Sequence, residues 1–284
     1  AWLEGLPADR ADDRAEMLAY HYAEALRYAR AAKLDVESLR ARAVAALTSA
    51  GERAAALHAQ HAAARYLREA LALAGPDAVE RPALLLAAGR AAFHAERGGA
   101  DELAEAVAAL AATGAPRGSA EAETLLGRLA WESGSVDAAR GRYRSALARV
   151  ADEGVCRERV VVLAALSALH MAADENAEAI AAGRAALGMA ESLGLEELAG
   201  RVLVDIGVTR ALLGDRGGLD DLERAVGILG RISSPELARA HTNYAAAWLA
   251  NWEKFGNQVL ATDFQKKTQR WAGRGQHLDA AVQV

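Results

Sequence analysis

The chain has 284 residues, is 52% hydrophobic and 25% charged, and carries a net charge of −5. It is long enough for one large domain or two modest ones and has ample material for a core. The acidic balance gives no global attraction to nucleic acid or anionic membrane. With a single cysteine, Cys156, it can form no internal disulfide, which fits a reducing compartment.

Ala, Leu, Arg and Glu dominate, and there are only 5 prolines, so strong helix formers fill the chain. Alternating strand patterns are absent, and the reading is all-α. The first residue is Ala1 rather than Met, which reads as a chain cut from something longer. Residues 1–34 form an N-terminal helical segment, and repeats follow over 35–250. Helix breaks are expected at AGPDAVERP (74–82), TGAPRGS (113–119), DEG (152–154), SLG (192–194), GDRGG (214–218) and SSPE (233–236). Ser119, with Glu123 after it, reads as a helix start, and so does Ser234 before Pro235. The apolar run VVVLAALSALHMAA (160–173) is too short to span a membrane, and no secretory leader is visible. Residues 251–284 are atypical: they hold five of the six Gln and three of the four Lys, and read either as a capping helix with tail or as a foreign tail. An amphipathic helix is expected around 257–272.

Two columns of small residues share one period. Gly51, Gly89, Gly127, Ser167, Gly207 and Ala245 follow at steps of 38, 38, 40, 40 and 38. Ala70-Leu71, Ala109-Leu110, Ala146-Leu147, Ala186-Leu187 and Ala225-Val226 follow at steps of 39, 37, 40 and 39. Glycine inside a helix costs about 1 kcal/mol relative to alanine, so its recurrence implies a packing reason. A repeated antiparallel helix pair supplies that reason. The first helix carries a small residue where its neighbour approaches, and the pairs stack into an α-solenoid of about twelve or thirteen helices.

The stretch LLGRLAWESGSVDAARGRYRSAL (125–147) resembles a tetratricopeptide repeat. Leu126-Gly127, the turn glycine Gly134, and Ala139, Tyr143 and Ala146 match the motif, whereas Glu123 and Ala130 stand where the first helix would carry its tryptophan and second aromatic. The resemblance covers roughly 36–250, with a period longer than the usual 34 residues, similar to repeats of large bacterial signalling proteins. Residues 1–26, 50–73 and 210–229 also resemble the C-terminal helical part of actinobacterial signalling ATPases, in which a nucleotide cyclase or DNA-binding domain can be attached. That likeness implies an ATPase module upstream of Ala1.

Sequence motifs for catalysis are missing. No lysine follows glycine and precedes Ser or Thr, so there is no P-loop, and no GxSxG, HExxH or GxGxxG motif occurs. His58 and His61 could share a helical face, but no third ligand joins them in sequence. Cys156 near Arg157 and Arg159 reads as a packed small residue rather than a reactive thiol. Arg128, Arg140, Arg142, Arg144 and Arg149 are offset by Glu121, Glu123, Glu132 and Asp137, which reads as mixed solvated charge rather than a nucleic-acid surface.

In the resembling family the first helices line a concave groove. Carried over at fixed offsets from the glycine column, its residues are Leu86, Arg90, Phe93 and His94, then Thr124, Arg128, Trp131 and Glu132, then Ala164, Ala168 and Met171, then Arg201, Val204 and Val208. Of these, Arg90, Phe93, His94, Arg128, Trp131, Glu132, Met171 and Arg201 are the candidate binding residues. Phe93 and Trp131 would anchor a peptide and Arg90 and Arg128 would pair its carboxylates; alternatively the rings pack between repeats with the arginines stacked on them. The expectation is a cytoplasmic, non-catalytic interaction and regulatory segment, with no cofactor, no metal, no nucleic acid and no membrane. Its partner would be a protein, a peptide or its own upstream ATPase module. The alternatives are the inducer-binding sensor segment of a transcription regulator or nucleotide cyclase, and an enzyme with an unrecognised site.

Overall fold

The computed structural model describes the backbone of residues 11–255 and the side chains of 15–250. The expected amphipathic helix at 257–272 and the tail beyond it lie outside the described residues. Twelve helices run in chain order among the described residues, with no strand: α1 (Ala11–Ala31), α2 (Glu37–Ala56), α3 (Gln60–Ala74), α4 (Arg81–Glu96), α5 (Ala100–Ala112), α6 (Pro116–Glu132), α7 (Val136–Arg149), α8 (Arg157–Ala172), α9 (Asn176–Ser192), α10 (Glu196–Leu212), α11 (Gly217–Arg231) and α12 (Leu237–Phe255). The chain forms two compact units, Ala1–Ala165 and Leu166–Val284.

In the first unit each helix packs on the next from α1 to α7, and α4 also packs on α6. In the second, α9, α10, α11 and α12 pack in succession, and α10 also meets α12. First helices of neighbouring pairs therefore touch one another as well as their own second helices. The cores are built from Leu and Ala. Leu47, Leu67 and Ala88 centre one cluster, Leu85, Leu103 and Leu126 another, and Leu203, Leu222 and Tyr244 a third.

The glycine column is a set of close approaches. A Cβ on Gly51 would lie 2.6 Å from Leu67 Cγ, one on Gly89 2.6 Å from Leu103 Cγ, one on Gly127 2.5 Å from Tyr143 Cε1, and one on Gly207 2.7 Å from Leu222 Cγ. Each of these four first helices thus opens a slot for one large side chain of its second helix. In the α8–α9 pair the sizes are exchanged. Ser167 stands in the column, its hydroxyl donating to the Ala179 carbonyl at 2.8 Å, and the second helix offers Gly183. Ile206 of α10 fills that space, 2.6 Å from where a Gly183 Cβ would be.

One turn earlier on the second helices runs a further small column: Ala63, Gly99, Ala139, Ala179 and Gly218. Gly99 needs its missing side chain twice over. Its φ is +85°, in the left-handed region, and a Cβ there would strike the Gly89 carbonyl at 2.6 Å.

Two sequence expectations are corrected. Counted from the large residues Leu67, Leu103, Tyr143 and Leu222, the buried alanine three positions on is Ala70, Ala106, Ala146 or Ala225. The column member in α5 is therefore Ala106 rather than Ala109, because Leu103 follows Gly89 by only 14 residues, where Leu67 and Tyr143 follow Gly51 and Gly127 by 16, so α5 meets α4 earlier in its length. Ser119 is not a helix start either. α6 begins at Pro116, and Ser119 lies buried inside it, its hydroxyl donating to the Val107 carbonyl of α5 at 2.9 Å. Ser234 does act at a helix entry: its hydroxyl oxygen accepts from the Glu236 amide at 3.2 Å.

The slot over Gly127 has a polar cost. Tyr143 is fully buried and its hydroxyl has no hydrogen-bond partner. Burial pushes its pKa from 10.0 up to about 12. A folded-state pKa above the unfolded one means stability is intact below pH 10 and is lost as pH rises towards 12. Tyr143→Phe should therefore melt at or above the wild-type temperature at pH 7, since an unsatisfied buried hydroxyl costs about 1–3 kcal/mol. Its advantage should widen in melts at pH 10–12. A large loss of stability at pH 7 would show that the hydroxyl is bonded in solution.

Candidate functional site

The face shared by α4 and α6 collects most of the candidate residues. Pro82 stands in the first turn of α4, and Arg97 closes the helix in a left-handed conformation at φ 54°. Pro116 opens α6 at its first position, where a missing amide is tolerated. Packing of the two first helices then sets the residues just past Gly89 against those around Gly127.

Three cross-helix contacts tie this face together. Arg90 Nη1 donates to Glu121 Oε1 at 2.9 Å, and Arg97 Nε lies 3.4 Å from Glu132 Oε2. Between them, the Arg128 guanidinium of α6 sits over the Phe93 ring of α4, 4.8 Å from its centroid. The Arg97 guanidinium lies 5.0 Å from the same centroid. The His94 ring meets Phe93 edge-on at 5.1 Å. Partial burial, then the charges of Arg128, Arg97 and Arg90, hold the His94 pKa below its ordinary 6.5, against a smaller opposing pull from Glu121.

Phe93 is not the anchor the sequence suggested. It is 0% exposed, packed among Leu85, Leu103 and Leu126, and roofed by guanidinium groups. It lies on the inward side of α4, and the arginine takes the exposed position above it. Trp131 is half-buried and Glu132 exposed. Met171 on α8 and Arg201 on α10 belong to the second unit. There Arg201 Nε is 4.0 Å from Glu236, and Arg239 bridges Glu236 at 2.8 Å and Asp205 at 3.0 Å. Burial raises the Asp205 pKa, opposed by Arg239.

Sequence reasoning passed over Arg97 and Glu121. Glu121 stands six residues before Gly127, the same offset as Arg201 before Gly207, so the column alone could have found it. Arg97 lies past the helix end, and only the register of α4 against α6 reveals it.

The face presents three guanidinium groups, two of them paired with Glu121 and Glu132. Among the described residues no group of three or more His, Cys, Asp or Glu could hold a metal ion. His58, at φ 60°, and His61 are both exposed, and Cys156 is buried. Of the Arg-rich stretch, Arg142 and Arg149 are directed to the buried Glu123, at 3.0 and 3.2 Å. No helix among the described residues is long and apolar enough to cross a membrane.

No family model and no curated protein matches the chain. Solved structures do. The apo form of the quorum sensor NprR from B. thuringiensis matches with a TM-score of 0.61 at 12% identity, over 86% of this chain and 79% of that one. BtubC from P. vanneervenii matches at 0.59 and 15% identity, over 77% and 92%. A kinesin light chain with nearly identical TPR-like repeats from Podospora anserina matches at 0.53 and 16%, over 67% and 96%. Likeness at such low identity concerns the fold, and together with the twelve helices and the two small-residue columns it establishes this chain as a tetratricopeptide-like helical repeat region.

Proposed function

We propose that the chain is a non-catalytic protein-interaction and regulatory scaffold of the cytoplasm, and that the α4–α6 face receives an acidic segment. That segment belongs to a partner protein or to an ATPase module upstream in the same polypeptide, as the sequence likeness to signalling ATPases suggests. The observation that carries the reading is the gathering of Arg90, Arg97 and Arg128 around His94 on one face of a chain whose net charge is −5. Guanidinium groups read carboxylates by paired donors, and such a face steers an acidic partner over a basic one. The NprR likeness, to a quorum sensor, favours a second reading: a sensor segment of a transcription regulator or nucleotide cyclase that answers a small inducer.

Calorimetry with a Glu-rich synthetic peptide tests the first reading. Arg90→Ala/Arg128→Ala should weaken binding about tenfold or more, roughly 1.4 kcal/mol, with the melting temperature nearly unchanged. Unchanged affinity in a variant that melts early would make the two arginines structural and overturn the assignment.

A further inference from the structure

Helix α6 carries three glutamates that meet arginines, and they are held very differently. The Glu123 side chain is 4% exposed and is bonded by Ser145, Arg142 and Arg149 together. Glu121 and Glu132 have 27% and 40% of their side chains exposed, and each meets one arginine whose own side chain is about half in solvent. Exposed pairs of this kind contribute little net stability and exchange readily. The two glutamates are eleven residues apart, three helical turns, so they lie on one side of α6, and Arg128, seven residues from Glu121, lies on that side with them. Along the face the pairs run Arg90 with Glu121, the Phe93–His94 rings with Arg128, and Arg97 with Glu132.

We infer that Glu121 and Glu132 are internal stand-ins for the carboxylates of the bound segment, occupying Arg90 and Arg97 until a ligand with two correctly spaced carboxylates displaces them. This rests on the acidic-segment reading above and adds the spacing and the competition. Arg90 and Arg97 are seven residues apart along α4 and its cap, about 10 Å of helix rise. An extended peptide in the polyproline II conformation, three residues per turn and about 3.1 Å rise per residue, covers that distance in three residues and returns the side chain at i+3 to the side of i, so the fitting partner carries acidic residues at positions i and i+3. A single carboxylate would have to displace one glutamate while the other still repels it. The stand-ins therefore discriminate by number and spacing of charges, and Arg128 between them supplies attraction for the intervening backbone.

Titration calorimetry of the full chain decides, with two probes: an extended eight-residue peptide with glutamates at i and i+3, and one with a single glutamate. Glu121→Gln/Glu132→Gln should bind the two-glutamate peptide at least fivefold more tightly than the wild type, and should bind the single-glutamate peptide measurably where the wild type does not. Adding Arg90→Ala and Arg97→Ala should abolish both gains, with circular dichroism confirming that each variant is folded. If the glutamine variant and the wild type bind the two-glutamate peptide equally, and both lose it with the arginines, the stand-in role is wrong while the face remains the site. If no form binds either peptide, the acidic-segment reading fails and takes this inference with it.

Discussion

Gly127→Leu should destabilise the chain by about 1–3 kcal/mol, and even Gly127→Ala should be felt, because the new side chain has nowhere to go. A Cβ there lies 2.5 Å from Tyr143 Cε1 and 2.7 Å from Cδ1. A buried aromatic ring cannot fold aside as a leucine tip can, so Gly51 and Gly89, which face Leu67 and Leu103, should tolerate alanine better. Gly218 should tolerate it least. Its Cβ would meet the Gly207 carbonyl at 2.5 Å and the Ala211 amide at 2.6 Å, so two backbones must part. Leucine at the exposed Arg144 serves as the control, with an expected change within about 0.5 kcal/mol. Urea melts giving Gly218 and Gly127 as the costliest positions and Arg144 as the mildest would confirm the packing phase. The reverse order would mean that the helices meet along other faces.

That phase was readable in the sequence because a helical glycine advertises itself. It costs free energy wherever it stands, so its return every 38 or 40 residues needed a mechanical cause, and helix pairs with slots for Leu67, Leu103, Tyr143 and Leu222 are that cause. The Ser167 and Gly183 exchange was less visible. Ser167 was counted as a column member, but its partner had lost its bulk, and only the packed pair shows Ile206 taking up the space. Register within a repeat was the weak point. The shorter spacing from Gly89 to Leu103 puts Ala106 in the place expected for Ala109, and a small residue on either turn of an Ala-rich helix looks alike in sequence.

The site suffered from the same ignorance of register, now between helices. Arg90 and Arg128 share an offset from their glycines, yet one is paired with Glu121 and the other lies on a ring. Equivalent positions in neighbouring first helices face each other asymmetrically, one looking up the stack and the other down. The offset therefore puts both arginines on the α4–α6 face and says nothing of who meets whom. Phe93 shows the limit: one position past Ala92 and one before His94, it turns inward to 0% exposure while His94 stays at the surface. A hundred degrees of helix separates a core residue from a groove residue.

Loss of both arginines that hold Glu123 should be among the most damaging changes in the first unit. Glu123 stands four residues before Gly127, where the first helices α2, α4, α8 and α10 carry Leu47, Leu85, Leu163 and Leu203. It is buried, and its two oxygens accept from Ser145 at 3.0 Å, Arg142 at 3.0 Å and Arg149 at 3.2 Å. Arg142→Ala/Arg149→Ala leaves that carboxylate in the interior with only a serine hydroxyl, and breaking a buried pair from one side costs about 3–5 kcal/mol. Glu123→Leu tells a different story. It returns the column to leucine, leaves behind two arginines that are already partly in solvent and can turn outward, and removes a desolvated charge altogether. Replacing a buried ionic group with a well-packed hydrophobe is often neutral or stabilising. The expected order of melting temperature is therefore Glu123→Leu at or above wild type, with Arg142→Ala/Arg149→Ala far below both. A Glu123→Leu protein that melts as early as the double arginine variant would mean that α6 and α7 depend on the charge network itself for their alignment, and that the substitution of Glu for Leu in this one repeat specifies the pairing of the two helices.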